Sequence, residues 1–201
     1  MPTQDHLFMA RTHLRDIPAA ALPEGCLLRT YRSGDEAPWL ALVRAAYGGE
    51  WGDDTFERCV RSDESFRPER LILAESGGRI VGTVGAFQKL LYGDSTGYVH
   101  MMAVHPGWQR HGLGAALLCR CLAQFRDAGW RDAVLDTEQR RLPAIRLYLR
   151  HGFLPLPETP DELDAWRRIL PAMGYDAMAE RLRQGMVCPA SGGLTHPPPK
   201  P

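Results

Sequence analysis

The stretch VHPGWQRHGLGAAL, residues 104–117, joins a strand-like apolar run to a helix-like one through a turn rich in donors and glycine. A helix N-terminus presents unpaired backbone N–H groups and about half a positive charge, which together favour an anion. Gln109, Arg110 and His111 stand just outside this helix start, where an amide, a guanidinium and an imidazole can reach anion oxygens. Gly112 and Gly114 remove side chains from the same place, which permits unusual φ/ψ and lets a bulky phosphate approach the backbone. Close packing of the helix on a sheet is the other reading of the two glycines, and a lone Gly-x-Gly does not choose between them. The stretch is not a dinucleotide fingerprint, because the third glycine is missing and no acidic residue closes a following strand at the expected distance. It is not a P-loop either, since no Gly-Lys-Ser/Thr follows.

Groups able to move a proton lie on the neighbouring elements. Tyr148 shares a helical stripe with Ala144, Ile145 and Leu149. By itself such a tyrosine reads as a core aromatic with its hydroxyl at the rim. In GYVHMMAV (97–104) the two-residue period puts Tyr98, His100, Met102 and Val104 on one face. An imidazole titrating near pH 6.5 suits His100 to a base's task, and a hydrogen-bonded buried histidine is the equal alternative. Glu138, closing the strand DAVLDTE, is a second candidate base or a cap for the helix that follows. In GGEWGDDTFE (48–57), Glu50, Trp51, Asp53 and Asp54 form either an aromatic and acidic wall for a cation or a solvated loop.

These groups need a framework. CLLRTYRSGD reads as a short strand and turn, after which Asp35 caps a helix carrying Trp39, Leu42, Val43 and Ala46. A second short helix is expected around Thr55–Arg61. RLILAESGGRIVGTVGAFQ is a hairpin about Ser76-Gly77-Gly78, and the nearly unbroken apolar run of GYVHMMAV suits a strand buried on both faces. Leu113, Leu117, Cys121 and Phe125 repeat every four residues on the helix that follows. DAVLDTE is a strand, Pro143 opens the next helix, Gly152 stops it, FLPLPE is extended, and helix resumes from Asp161. The expected organisation is a polar extension over 1–24 with one short helix, then a single domain over 25–184 with a helical extension from about 160. A Pro/Gly-rich disordered tail is expected over 185–201.

With 201 residues, one sizeable core is the natural allowance. Lys+Arg 24 balances Asp+Glu 24, so no global field draws the chain to nucleic acid or to an anionic membrane. No apolar run approaches the roughly 20 residues of a membrane span, and the N-terminus lacks a signal segment. The five cysteines are odd in number, and Cys119-Arg120-Cys121 is too tight for zinc spacing, so a reduced cytoplasmic protein without metal is expected.

Gln-x-x-Gly-x-Gly, preceded by a strand ending Ala-Val-His-Pro, strongly resembles motif A of the GNAT acetyltransferase superfamily. AIRLYLRHGF (144–153) resembles the same family's later helix, with its Ala-x-x-x-Tyr and closing Gly-Phe. The two blocks lie in the family's order and at about its spacing, and the resemblance covers roughly residues 26–156. It implies a GNAT-like α/β fold: a mixed, mostly antiparallel sheet of six to seven strands flanked by helices. It implies acetyl-coenzyme A as cosubstrate, with the pyrophosphate on Gln109, Arg110, Gly112, Leu113, Gly114 and Ala115, and His111 beside them. The pantetheine arm would pair with the main chain of Met102, Ala103 and Val104, with the N–H at Met102 facing the thioester carbonyl. Tyr148 would protonate the leaving thiolate, and His100, Glu138 or water would deprotonate the acceptor. One position departs from the pattern: many relatives carry asparagine about three residues before the alanine of the second block, and this chain has Arg141.

An amine of pKa near 10.4 is free base in only about one molecule in a few thousand at neutral pH, so direct attack requires a proton acceptor. The expected reaction is therefore direct acetyl transfer to a small-molecule or peptide amine by a monomer or homodimer. A non-catalytic acyl-coenzyme A-binding module that keeps the turn and loses the chemistry is the alternative. A phosphate-binding α/β protein of another family is the third.

Overall fold

A computed structural model describes residues 6–185. Its elements are β1 (His6–Arg11), β2 (Cys26–Thr30), α1 (Glu36–Tyr47), β3 (Leu71–Ser76), β4 (Arg79–Gln88), β5 (Thr96–Val104), α2 (Leu113–Asp127), β6 (Asp132–Glu138), α3 (Leu142–Arg150), β7 (Leu154–Pro155), α4 (Pro160–Ala172) and α5 (Asp176–Arg183). All seven strands form one mixed sheet in the order β2-β3-β4-β5-β6-β1-β7, antiparallel except where β5 meets β6. The expected short helix appears as a helical turn at 55–61 that widens to π geometry over Glu57–Arg61. The expected tail lies outside the described residues beyond Gly185.

The N-terminal segment departs from the sequence expectation. Residues 6–11 are not a polar extension or a helix but a strand between β6 and β7. Leu7, Phe8, Met9 and Ala10 are all buried. A strand covered on both faces shows no polar–apolar alternation, and a run this short carries no helical or strand signature. Buried Arg11 then ties the crossover to the domain, its guanidinium donating to the carbonyls of His13, Asp16 and His151. Leu14, Ile17 and Leu22 of that crossover pack into the main core.

The sheet's two faces carry different cores. Ile72, Ala74, Val84, Ala86, Val99, Ala133 and Leu135 face α2, α3, α4 and α5. Leu71, Leu73 and Phe87 face α1 and the 55–61 turn, through Trp39, Val43, Phe56 and Val60. The Trp39 indole is fully buried and stays satisfied by donating to Thr83 Oγ1 at 3.1 Å. Asp35 does precede α1, but its carboxylate accepts from Arg29 Nη1 and Nη2, at 2.7 and 2.8 Å, and from the Arg32 amide instead of capping the helix.

Along α2, Leu113, Leu117, Cys121 and Phe125 are all fully buried, as their spacing predicts. Phe125 lies flat against Gly97 of β5, where a Cβ would press on three ring atoms, the farthest 2.7 Å away. The ring is fully buried and also packs on Trp130 at 5.2 Å, so it has little room to shift. Gly97→Ala is therefore expected to cost about 1–3 kcal/mol, an overpacking penalty. Thermal unfolding measures it, and an unchanged melting temperature would show that the β5–α2 contact yields freely.

Candidate active site

The site is built around a parting of two strands. β5 and β6 pair only at Thr96–Asp132, Gly97–Ala133 and Tyr98–Val134. From residue 99 onward β5 keeps its pairing with β4 alone, which opens the sheet between β5 and β6. Within that free length the register shifts: Thr83 faces Ala103 while Gly85 faces His100, so Met101 and Met102 both lie opposite Val84. Met101 takes φ 45° to make this bulge. The extra residue reverses the alternation. Tyr98 and Met101 pack toward α1, and His100 stacks on Phe87 of that core, whereas Met102 and Val104 face α2 and α3. The expectation that Tyr98, His100, Met102 and Val104 share one face is corrected by this bulge, as is uniform burial of the strand, since Tyr98, His100, Met101, Met102 and Val104 are only half-buried.

At the end of β5 a tight turn leads directly into the start of α2. Residues Pro106–Trp108 make one 3₁₀ turn, and Gln109 Nε2 donates to Val104 O at 3.2 Å. Arg110 has φ 66°, and Gly112 sits at the helix N-cap with φ 86°. Among the described residues, Met101 and Arg110 are the two non-glycine positions with positive φ. Both border the strand opening or the turn, where strained backbone is characteristic of binding sites. The first α2 hydrogen bond runs from Ala116 N to Gly112 O, so the N–H groups of Leu113, Gly114 and Ala115 precede it. A Cβ at Gly114 would lie 3.3 Å from Leu147 and 3.7 Å from Met102, so the missing side chain clears the path from the turn to the opening.

α3 brings Tyr148 to the same place. Its hydroxyl lies 3.9 Å from the Met102 sulfur, and its ring packs edge-on against Phe153 at 5.9 Å. Burial pushes the phenol's pKa well above its ordinary value, with Tyr47 adding to it, so Tyr148 holds its proton at neutral pH. From the opposite face, Tyr47 of α1 donates to the Met102 carbonyl at 2.8 Å. Arg141, at the position where an asparagine is expected, lies over the Tyr47 ring at 4.1 Å. Its guanidinium also meets Glu138, as does that of Arg140. Burial works against the Glu138 carboxylate, but the two guanidinium groups outweigh it and hold the pKa low.

His100 is stacked between Phe87 and Tyr98, at 5.0 and 5.5 Å, and its Nε2 lies 2.6 Å from Cys59 O. That contact requires a proton on Nε2. Burial lowers the imidazole pKa, so the ring is neutral at pH 7. In the loop after α1, Asp53 pairs with Arg44 and Asp54 with Arg58, all largely exposed, whereas Trp51 stacks on Tyr47 at 5.6 Å. The carboxylates of that loop thus face water, and only its aromatic residue joins the site. Cys119 and Cys121 are unbridged, and no group of three potential metal ligands occurs among the described residues. Nor is any helix among them long and apolar enough to cross a membrane.

A strand opening, a glycine-bordered helix start at one end and a buried phenol beside them are brought together at this end of the sheet. The sequence profile of the Acetyltransferase (GNAT) family matches residues 37–153. The chain belongs to the GNAT family. Mycothiol acetyltransferase of Streptomyces bingchenggensis is 37% identical over 143 residues, which cover 69% of this chain and 46% of that protein. The enzyme of the same name from Pseudarthrobacter chlorophenolicus is 35% identical over 146 residues, covering 69% and 45%. This GNAT chain thus spans about half the length of the curated relatives it matches. Among solved structures, a GCN5-related N-acetyltransferase from Sphaerobacter thermophilus superposes with a TM-score of 0.64 at 29% identity, over 76% of this chain and 48% of the other.

The sequence alone does not single out Tyr47 and Asp136, which lie beside the strand opening of this GNAT domain, or His6, which reaches Asp136 from β1. Tyr47 ends α1 next to two glycines and reads as a helix end. Asp136 alternates with Val134 and Glu138, which fixes its face but not its neighbours. His6 is hidden with its strand.

Proposed function

We propose that this chain transfers an acetyl group from acetyl-coenzyme A to the amine of a small-molecule acceptor by direct attack. When bound, the cosubstrate supplies an activated thioester carbonyl and a thiolate leaving group. The turn residues Gln109, Arg110, His111 and Gly112 through Ala115 would hold its pyrophosphate. The clearance at Gly114, which any side chain would fill, and the N–H groups ahead of Ala116 fit such an anion. The main chain of Met102, Ala103 and Val104, which β6 leaves unpaired, would pair with the pantetheine arm, chiefly through N–H groups, since the Met102 and Val104 carbonyls already accept from Tyr47 and Gln109. Tyr148 would donate the proton that the leaving sulfur needs. The observation that carries this reading is the Tyr148 hydroxyl against Met102 within the opening.

His100 enters as part of the acceptor-side wall: its Nε2 is spent on Cys59 O, and Nδ1 is the nitrogen left to accept a proton. Glu138, held ionised by two arginines, is poorly suited to the base's part. The names of the sequence relatives make an acceptor related to mycothiol the first to assay.

Two measurements test the reading. Coenzyme A is expected to raise the melting temperature, because a ligand that binds only the folded state stabilises it. Acetyl-coenzyme A with a panel of simple amines, amino acids, peptides and aminoglycosides is expected to release free thiol and give an amide product by mass. Binding without transfer to any amine would favour the non-catalytic module, and absence of binding would sink both.

A further inference from the structure

We propose that Asp136 is the group that holds the acceptor's amine in this cleft, with Tyr98 and His6 positioning its carboxylate, and that the acceptor is a cationic primary amine. The inference rests on the acetyl-transfer reading above. Asp136 lies two residues beyond Val134, the last residue of β6 paired to β5, and so on one wall of the strand opening. Alternation places it with Val134 on the α1 side of the sheet, opposite the face from which Tyr148 enters. Its two oxygens are held from two different strands. Oδ1 accepts from the Tyr98 hydroxyl, on the facing wall, and Oδ2 meets His6 Nδ1 at 2.9 Å. Its side chain keeps 19% of its surface exposed, so the carboxylate is fixed without being sealed.

The field of this one carboxylate reaches every phenol around the opening. It adds to burial in pushing up Tyr47, Tyr92, Tyr98 and Tyr148, which come from α1, the β4–β5 connection, β5 and α3. By strand register and core membership, Asp136 lies on the α1 face beside the opening and Tyr148 on the α2–α3 face. The neighbouring carboxylates meet arginine or lysine, Glu138 with Arg140 and Arg141 and Asp63 with Lys89 at 2.8 Å, whereas Asp136 meets the His6 imidazole. Around Asp136 the surroundings are aromatic, with Tyr92 stacked on Tyr98 at 6.0 Å and Tyr98 against His100. A carboxylate ringed by π faces attracts an ammonium group through both charge and quadrupole. An amine held there lies on the wall of the opening that β6 supplies.

The test uses Asp136→Asn, which keeps shape and an acceptor for Tyr98 but removes the charge. With glycinamide as the probe amine, kcat/KM is expected to fall about ten- to a hundredfold, the range for losing one charged hydrogen bond, mostly through KM. Coenzyme A affinity by calorimetry should stay unchanged. Independently of turnover, glycinamide added to the full chain should shift the His6 ring signals in NMR spectra of the parent and not of the variant. Tyr98→Phe, which deletes only a hydroxyl, should raise KM for glycinamide severalfold and serves as the test if Asp136→Asn does not fold. Equal kinetics in the variants, absence of the His6 shift in the parent, or a parallel loss of coenzyme A affinity would each overturn the assignment of Asp136. A parent that fails to bind coenzyme A would instead overturn the acetyl-transfer reading itself.

Discussion

Tyr148→Phe is expected to lower the rate of acetyl transfer by about a hundred- to ten-thousandfold, the usual contribution of a positioned acid or base. Burial keeps this phenol protonated at neutral pH, which is the state an acid must start from. Its hydroxyl points at the Met102 sulfur, a weak acceptor, at 3.9 Å, so deleting the hydroxyl takes little from folding. Phenylalanine keeps the ring and its edge-on packing against Phe153. The substitution therefore separates chemistry from architecture: kcat should fall while KM and coenzyme A affinity hold within about twofold. Steady-state kinetics with the parent's best amine, beside a melting curve, make the measurement. A folded variant that turns over at the parent's rate would make Tyr148 a core aromatic and no more.

The parts of this molecule legible in its sequence are those whose signal is local. The four-residue repeat of α2, the Gly77-Gly78 hairpin turn and the Gly112-x-Gly114 helix start each encode their geometry within one turn or one strand pair. Even Arg141 is visible as a departure, though not that its guanidinium lies over Tyr47. What escapes depends on partners distant along the chain. β1 pairs with residues some hundred and thirty positions away, as the hydrogen bond between His6 and Asp136 shows, and a strand buried on both faces has no alternation to betray it. The bulge at Met101 follows from β4–β5 register, and it sends Met102 to the opposite face from His100. That single residue decides which side chains face α2 and α3 and which face α1, and no periodicity argument contains it. Asp35 shows the same limit on a small scale: its place before α1 is readable, but Arg29 takes its carboxylate.

Gly114→Glu is expected to weaken coenzyme A binding by more than about a hundredfold, since placing like charges together costs several kcal/mol and each 1.4 kcal/mol is tenfold. The backbone permits the change, because Gly114 is not among the positive-φ glycines. A glutamate in the first turn of α2 is also favourable to the helix itself, complementing the unpaired N–H groups and the dipole. The fold should therefore tolerate what the ligand cannot. A Cβ at this position would sit 3.3 Å from Leu147 Cδ2, 3.7 Å from Met102 Cε and 3.9 Å from Val104 Cγ2, so the added chain grows into the passage between turn and opening. Gly114→Ala separates bulk from charge: it adds the same Cβ without the carboxylate and should weaken binding far less. Calorimetry with coenzyme A on parent, alanine and glutamate variants gives the comparison, and melting curves confirm that each is folded. If the glutamate variant binds as tightly as the parent, the pyrophosphate does not lie on this turn. If alanine and glutamate weaken binding equally, steric closure of the passage and not charge repulsion sets the affinity, and the anion cradle moves outward to Arg110 and His111.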